Sequence, residues 1–243
     1  MQCVIFCGGF ASRLYPVTHK IPKSMLTVNG KPFLEIQLKM LKKNGVGQVI
    51  LLTGFLQEQI ESYFGDGKKF GVRLEYVKGS QNFGTGFALK RAAPFVEDEF
   101  LTLWGDSYLE MNYKKFFTEF VERPCLGMMS VYENHDRIDK SNIEIGNGLV
   151  KTYDMNARQN QIRYAYIDYG CHAFRKKTLD MIPNDHAYKH GQLFQALIAQ
   201  KQMAAYVVKQ RPYEIGSFSG LEELQKKLAD EKKIKAPSDE RHF

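Results

Sequence analysis

A glycine pair, Gly8-Gly9, closes the apolar run Cys3-Val4-Ile5-Phe6-Cys7, and two cations, Arg13 and Lys23, follow it closely. A buried strand that ends in a glycine turn presents backbone N–H groups to a ligand, and neighbouring cations make that ligand an anion. These residue types predict a phosphate site at the start of the chain. A carboxylate in a similar setting, Gly105-Asp106, follows the apolar segment Phe100 to Trp104, and Glu214 stands in a short turn before Gly216. A strand-end carboxylate either binds a ligand or caps a helix. The dinucleotide fingerprint is absent, because the third glycine is missing and Thr53-Gly54-Phe55 follows the second strand where an acidic residue would hold a ribose. A Walker loop is absent too, since no Gly-Lys-Ser/Thr run stands at its spacing.

The elements that must position these residues alternate over the first half of the chain. Gln2 to Cys7, Gln48 to Thr53, Arg73 to Val77 and Phe100 to Trp104 read as strands, and Phe33 to Lys43, Gln57 to Phe64 and Thr85 to Ala93 as helices. Such alternation predicts an α/β fold, a Rossmann-like, mostly parallel mixed sheet flanked by helices, which binds ligands at the carboxyl ends of its strands. The second half is richer in strands: Gly127 to Tyr132, Asn142 to Ile145, Leu149 to Tyr153, Ile167 to Phe174 and Ala204 to Val208, with the hairpin signal Gly146-Asn147-Gly148. It is expected to form a small β extension over the open end of the sheet. Tyr188 to Gln200 and Leu221 to Leu228 read as helices, and the charged tail from Asp230 is expected to fray.

The 243 residues suit one domain over 1–229, with a nucleotide-binding half to about residue 110, an acceptor-binding half beyond it and a tail at 230–243. The 34 basic against 27 acidic residues give a net charge of +7, scattered without a polybasic block. That favours phosphorylated small molecules over nucleic acid. No secretory or membrane-length apolar run is apparent, so the expected location is the cytoplasm, with no membrane partner. Cys3 and Cys7 stand about 13 Å apart along a strand, too far to bridge. Cys125 and Cys171 lack metal-ligand spacing, and all four cysteines read as reduced core residues.

The stretches Gly8-Gly9-Phe10-Ala11-Ser12-Arg13-Leu14, Pro16-Val17-Thr18, Pro22-Lys23-Ser24-Met25-Leu26 and Val28-Asn29-Gly30-Lys31-Pro32-Phe33 together resemble the signature of sugar-1-phosphate nucleotidyltransferases. The likeness continues through Asn44-Gly45-Val46, Phe83-Gly84-Thr85-Gly86, Trp104-Gly105-Asp106 and Tyr213-Glu214-Ile215-Gly216. It implies the nucleotide-diphospho-sugar transferase fold and transfer of a nucleotidyl group from a nucleoside triphosphate to a phosphorylated small-molecule acceptor, a sugar 1-phosphate, giving a nucleotide sugar and pyrophosphate for bacterial surface polysaccharide synthesis. It is compatible with a homo-oligomer.

The chemistry gives these residue types a reason of their own. A phosphate monoester, already deprotonated at neutral pH, attacks the α-phosphorus and pyrophosphate leaves, so the enzyme must mainly align two anions and spread charge. Arg13 and Lys23 are the catalytic candidates, and Gly8, Gly9, Ser12, Arg13, Gly84, Gly105 and Asp106 the nucleotide-binding ones. Gln81 is a candidate for reading a base edge. Asp106 and Glu214 form the pair expected to hold Mg²⁺, which takes hard oxygens. The family usually carries Asp where Glu214 stands. Asn142, Asp154, Asp168 and Gly170 sit where relatives bind the acceptor, with a strand-end turn as the alternative role of Asp168. The family's Glu-Lys-Pro run is missing: Tyr153-Asp154-Met155-Asn156 stands in its place, and Lys151, Arg158 or Arg163 is expected to substitute for the lysine. That departure keeps open a phosphorylated alcohol or amino-acid derivative as acceptor, as in phosphocholine cytidylyltransferases, and a non-catalytic nucleotide-sensing domain remains a further alternative.

Overall fold

A computed structural model describes residues 1–9, 12–79 and 83–235. Phe10, Ala11, Gln81 and the end of the tail lie outside the described residues. In the first half the apolar runs become strands β1 (Gln2–Phe6), β4 (Gln48–Thr53), β5 (Arg73–Lys78) and β6 (Glu99–Trp104), and the two-residue strands β2 (Thr27–Val28), β3 (Lys31–Pro32) and β7 (Ser107–Tyr108) lie between them. Helices α1 (Phe33–Lys43), α2 (Gln57–Phe64) and α3 (Gly84–Arg91) connect them. The second half adds α4 (Tyr113–Glu122), β8 (Gly127–Glu133), β9 (Ile143–Gly146), β10 (Leu149–Tyr153), β11 (Tyr166–Arg175), α5 (His190–Ala199), β12 (Met203–Val208), β13 (Tyr213–Glu214) and α6 (Phe218–Lys235).

The main sheet has nine strands in the order β5-β4-β1-β6-β11-β8-β12-β10-β9. Strands β5, β4, β1 and β6 are parallel; β11 runs antiparallel to both β6 and β8, and β12 is parallel to β8. The second-half strands thus continue the same sheet, and the β9–β10 hairpin at the end of that order also pairs back to β11, Ile143 opposite Tyr166. The hairpin turns at Asn147 and Gly148, both at positive φ as a two-residue turn requires. Side chains alternate along β1: Cys3 and Ile5 join one buried cluster and Val4 the other. Leu34, Leu38 and Leu41 of α1 with Phe116 and Phe120 of α4 cover the first face, and Leu89 of α3 with Leu193, Phe194 and Leu197 of α5 cover the second. A third cluster, Leu14, Leu26, Val28, Phe33, Tyr108, Ile215 and Leu224, packs the loops at the carboxyl end of the sheet onto α6.

Two local expectations change. Helix α4 was not anticipated: Tyr113, Phe116 and Phe120 are buried along one face, and the Asn112 side chain caps the first turn by accepting the Lys115 N–H at 2.8 Å. The last helix does not stop at Leu228 and the chain does not fray at Asp230, because the helix runs to Lys235. Lys227 sits between Glu110 and Glu231, at 2.8 Å from each, and carries the helix past that point. The four cysteines are buried and free. Among the described residues no helix is long and apolar enough to cross a membrane.

Candidate active site

Three strand ends build a cleft of about 330 Å³: Cys7-Gly8-Gly9 after β1, Thr53-Gly54 at β4 and Trp104-Gly105-Asp106 at β6, with Lys23, Gly84 and Thr85 completing the wall. The Gly105 N–H donates to the Phe6 carbonyl at 3.1 Å, and a Cβ on Gly105 would stand 2.3 Å from that oxygen, so only glycine lets the two strand ends approach this closely. Gln37, wholly buried on α1, donates to the carbonyls of Trp104 at 3.0 Å and Ser107 at 2.8 Å, and so pins the turn that carries Asp106. Asp106 precedes β7, not a helix, which removes the capping alternative. Burial pushes the Cys7 thiol up to about 12, leaving it un-ionised at the cleft wall.

Pro22 leads into the 3-10 turn Lys23–Met25, and from there Lys23 Nζ donates to Asp106 Oδ2 at 2.5 Å. These side chains are 16% and 32% exposed, so each needs its partner when the cleft is empty of other charge. Among the described residues the other oxygen, Asp106 Oδ1, accepts only a long 3.3 Å contact from the Ser107 hydroxyl. Glu214 lies opposite Ser107 in the β7–β13 ribbon, and its carboxylate accepts from the Gly216 N–H and the Ser217 hydroxyl. Gly216 marks the point of convergence. A Cβ there would lie 2.4 Å from Glu214 Oε2, 2.8 Å from Lys23 Nζ and 3.0 Å from Arg13 Nη2. Arg13, itself exposed, reaches it from the 3-10 turn Ser12–Leu14, which the buried Leu14 anchors. Two cations and two carboxylates, remote in sequence, therefore meet beside the cleft. Among the described residues no three His, Cys, Asp or Glu side chains form a metal cluster. Asp106 and Glu214 are nonetheless two hard-oxygen donors, a set that suits an ion keeping water or phosphate oxygens as its other ligands.

A second cavity of about 240 Å³ is lined by Asn142, Asp154 and Asp168 together with Asp139, Lys140, Met155, Ala157, Arg158 and Ile167. It adjoins the first across Trp104 and Asp168, whose Nε1 and Oδ2 are 3.4 Å apart. Asp154 is engaged by its own loop: Asn160, the Asn156 N–H and Tyr164 all donate to its carboxylate, at 2.6, 2.8 and 3.1 Å, and hold it below its ordinary range. Gly170 is not on the wall; at φ +105° it turns β11, and its N–H donates to Asp168 Oδ1 at 2.8 Å. Of the three cations expected to replace the missing lysine, only Arg158 lines the cavity, with Lys151 and Arg163 exposed elsewhere. Arg158 forms a paired contact with Asp139 at 2.6 and 2.5 Å. Lys140, which the sequence did not suggest, is the second cation on this wall.

The model of the nucleotidyl transferase family matches residues 2–231, nearly the whole chain. The chain belongs to the nucleotidyl transferase family. Among relatives of this chain, the D-glycero-alpha-D-manno-heptose 1-phosphate guanylyltransferase of Campylobacter jejuni is 34% identical over 144 residues, 59% of this chain and 64% of the relative. The UTP–glucose-1-phosphate uridylyltransferase of a Synechocystis species is 28% identical over 214 residues, 82% of this chain and 55% of the relative. The chain thus spans somewhat more than half the length of these relatives. Crystal structures of HddC from Yersinia pseudotuberculosis and of UDP-glucose pyrophosphorylase complexed with UDP-glucose share the fold. Their TM-scores are 0.77 and 0.76 at 24% and 18% identity, with 93% and 95% of this chain and 99% and 98% of theirs superposed. The fold shared with these structures is the expected mostly parallel mixed sheet, parallel through the alternating first half and mixed where the second-half strands join it.

Sequence reasoning missed Gln37, Lys140 and the contact partners of Asp168. Gln37 carried a signal, as a polar residue on the apolar face of α1 beside Leu34, Leu38 and Leu41. Lys140 carried none.

Proposed function

We propose that the protein transfers a nucleotidyl group from a nucleoside triphosphate to a sugar 1-phosphate, releasing pyrophosphate. The observation that carries this reading is the convergence of Arg13, Lys23 and Glu214 on Gly216, with Asp106 bonded to Lys23, at the mouth of a glycine-walled cleft. In-line displacement at an α-phosphorus needs positive charge on two anions and their alignment, and little covalent help from the protein. Arg13, a planar fork of donors, suits the triphosphate, and Lys23, a compact charge on a flexible stem, suits the α-phosphate. Substrate binding would exchange the Lys23–Asp106 contact, turning Lys23 to phosphate and freeing the carboxylate. Asp106 and Glu214 would hold Mg²⁺, which when bound supplies positive charge to the phosphate oxygens. The acceptor needs no general base, since its phosphate is already deprotonated at neutral pH. Its place is the second cavity, next to the first.

The wall of that cavity favours a polyhydroxylated acceptor. Asn142 and Asp168 offer hydrogen-bonding groups suited to hydroxyls, and Lys140 and Arg158 offer charge to a phosphate, whereas a quaternary ammonium calls for aromatic faces that this wall lacks among the described residues. Pyrophosphate release should be measured with each of four nucleoside triphosphates against glucose, mannose and heptose 1-phosphates and against phosphocholine. Release with a sugar 1-phosphate is the expected result. Release with phosphocholine alone, or tight triphosphate binding with no release from any pair, would overturn the reading.

A further inference from the structure

Asp168 and His172 stand four residues apart in β11, a separation that places regular strand residues about 13 Å from each other. Their side chains nevertheless meet, with His172 Nε2 at 2.9 Å from Asp168 Oδ1. The contact exists because β11 shifts register against β8 between these two residues, turning at Gly170 with φ +105°. A Cβ on Gly170 would press on Trp104 Cδ1 at 3.2 Å and Ser107 Oγ at 3.3 Å, so the kink also fits β11 against the turn that carries Asp106. The other ring nitrogen, His172 Nδ1, lies 3.0 Å from the hydroxyl of Thr102 in the neighbouring strand β6. His172 and Thr102 are both wholly buried, and the ring is boxed by Phe174, His190 and Phe194 with the edge of Trp104.

We infer that His172 is a positioning residue for the acceptor: its Nε2–H donates to Asp168 and turns the second carboxylate oxygen toward an acceptor hydroxyl. Asp168 Oδ1 accepts both this proton and the Gly170 N–H, so it has little capacity left for a ligand. Among the described residues Oδ2 has only the 3.4 Å contact from Trp104, and it belongs to a residue on the cavity wall. A proton on Nε2 leaves Nδ1 as an acceptor, and the buried Thr102 hydroxyl is the donor that fixes this tautomer. A buried imidazole serves packing no better than an apolar ring and carries a desolvation cost, which its two hydrogen bonds offset. What it adds over an apolar ring is a directed proton behind a carboxylate. The inference rests on the proposed placement of the acceptor in the second cavity.

The test uses His172→Phe, which keeps a ring and loses both hydrogen bonds, and His172→Gln, whose amide reaches toward the Nε2 position. With the most active sugar 1-phosphate of the panel, His172→Phe should raise the acceptor KM about tenfold while the nucleotide KM stays within about twofold, and His172→Gln should restore most of the difference. An unchanged acceptor KM in a folded His172→Phe variant overturns the inference, as does an equal rise in both KM values without rescue. If the phenylalanine variant does not fold, Thr102→Val removes the fixing hydroxyl and should move the acceptor KM in the same direction; no movement overturns the inference. Asp168→Asn separates the two levels: an unchanged acceptor KM there defeats the placement of the acceptor, whereas a raised one beside a normal His172→Phe defeats only the role of His172. Independently of any acceptor, ¹⁵N spectra of the wild-type imidazoles, assigned by the loss in His172→Gln, should show a proton on His172 Nε2. A bare Nε2 contradicts the inference.

Discussion

Replacing Gly216 by alanine puts a single methyl group where Arg13, Lys23 and Glu214 meet. Its carbon would stand 2.4 Å from Glu214 Oε2, 2.8 Å from Lys23 Nζ and 3.0 Å from Arg13 Nη2, all inside ordinary van der Waals contact. Every one of these atoms is the far end of a long, rotatable side chain, and Gly216 is not among the glycines at positive φ, so the backbone tolerates the change. The fold should lose no more than about 1 kcal/mol, a melting shift of about 2–4 °C in a chain of this size. The side-chain ends must retreat by about 1 Å to relieve the contacts, and a displacement of that order in groups that align reacting atoms costs about 10²-fold in rate. Steady-state pyrophosphate release and a thermal melt on the same preparation measure both quantities. A folded Gly216→Ala enzyme with wild-type kcat/KM would refute the claim that this convergence is the reacting geometry, and a melting loss far beyond the stated range would show that the loop, not the side chains, absorbs the methyl group.

Asp106→Asn keeps an oxygen for Lys23 and removes the charge that a divalent cation needs, so turnover should fall by about 10²-fold or more with the fold retained; wild-type turnover at ordinary Mg²⁺ concentrations would contradict the assignment. Neutralising Arg158 or Lys140, the cations on the acceptor wall, should raise the acceptor KM about tenfold in at least one case and spare the nucleotide KM, whereas Lys151→Ala should change neither. Burial, with His172 beside it, holds the His190 imidazole well below 6.5, so the folded protein keeps it neutral while the unfolded chain binds a proton as pH falls. That proton uptake lowers folding stability as pH falls below about 6.5, by on the order of 1 kcal/mol between pH 7.5 and pH 5.5, and denaturant titrations at both values should find that part of the acid sensitivity gone in His190→Phe. An unchanged pH dependence in that variant would show that His190 titrates normally.

Where a signal was local, the sequence displayed it. The helices at Phe33–Lys43 and Gln57–Phe64 and the strands Gln48–Thr53 and Leu149–Tyr153 have the bounds that their apolar spacing predicts, because each ends at a change of pattern or a turn residue. Gly8, Gly9, Gly105 and Asp106 were legible for a related reason: a strand that ends in glycine beside a charge is visible in one dimension, and the parallel topology then brings such ends to one edge, where Lys23 and Gly84, which the family resemblance singled out, join them. Lys140 lines the second cavity from a loop between β8 and β9 that has no periodicity to read. The Asp168–His172 contact depends on a register shift, and the alternation of a strand gives no warning of one. The meeting of Arg13, Lys23 and Glu214 at Gly216 is a property of how three separated loops pack over the third hydrophobic cluster, and only the folded chain displays it.

Attack at the α-phosphorus leaves a signature in the fate of that phosphorus, which a radiolabel follows. The active nucleoside triphosphate should be supplied once with ³²P at the α position and once at the γ position, together with the active sugar 1-phosphate, and the products separated. The α label should appear in a nucleotide sugar and the γ label in pyrophosphate. A γ label on the acceptor, or an α label that remains in a free nucleotide, would contradict it.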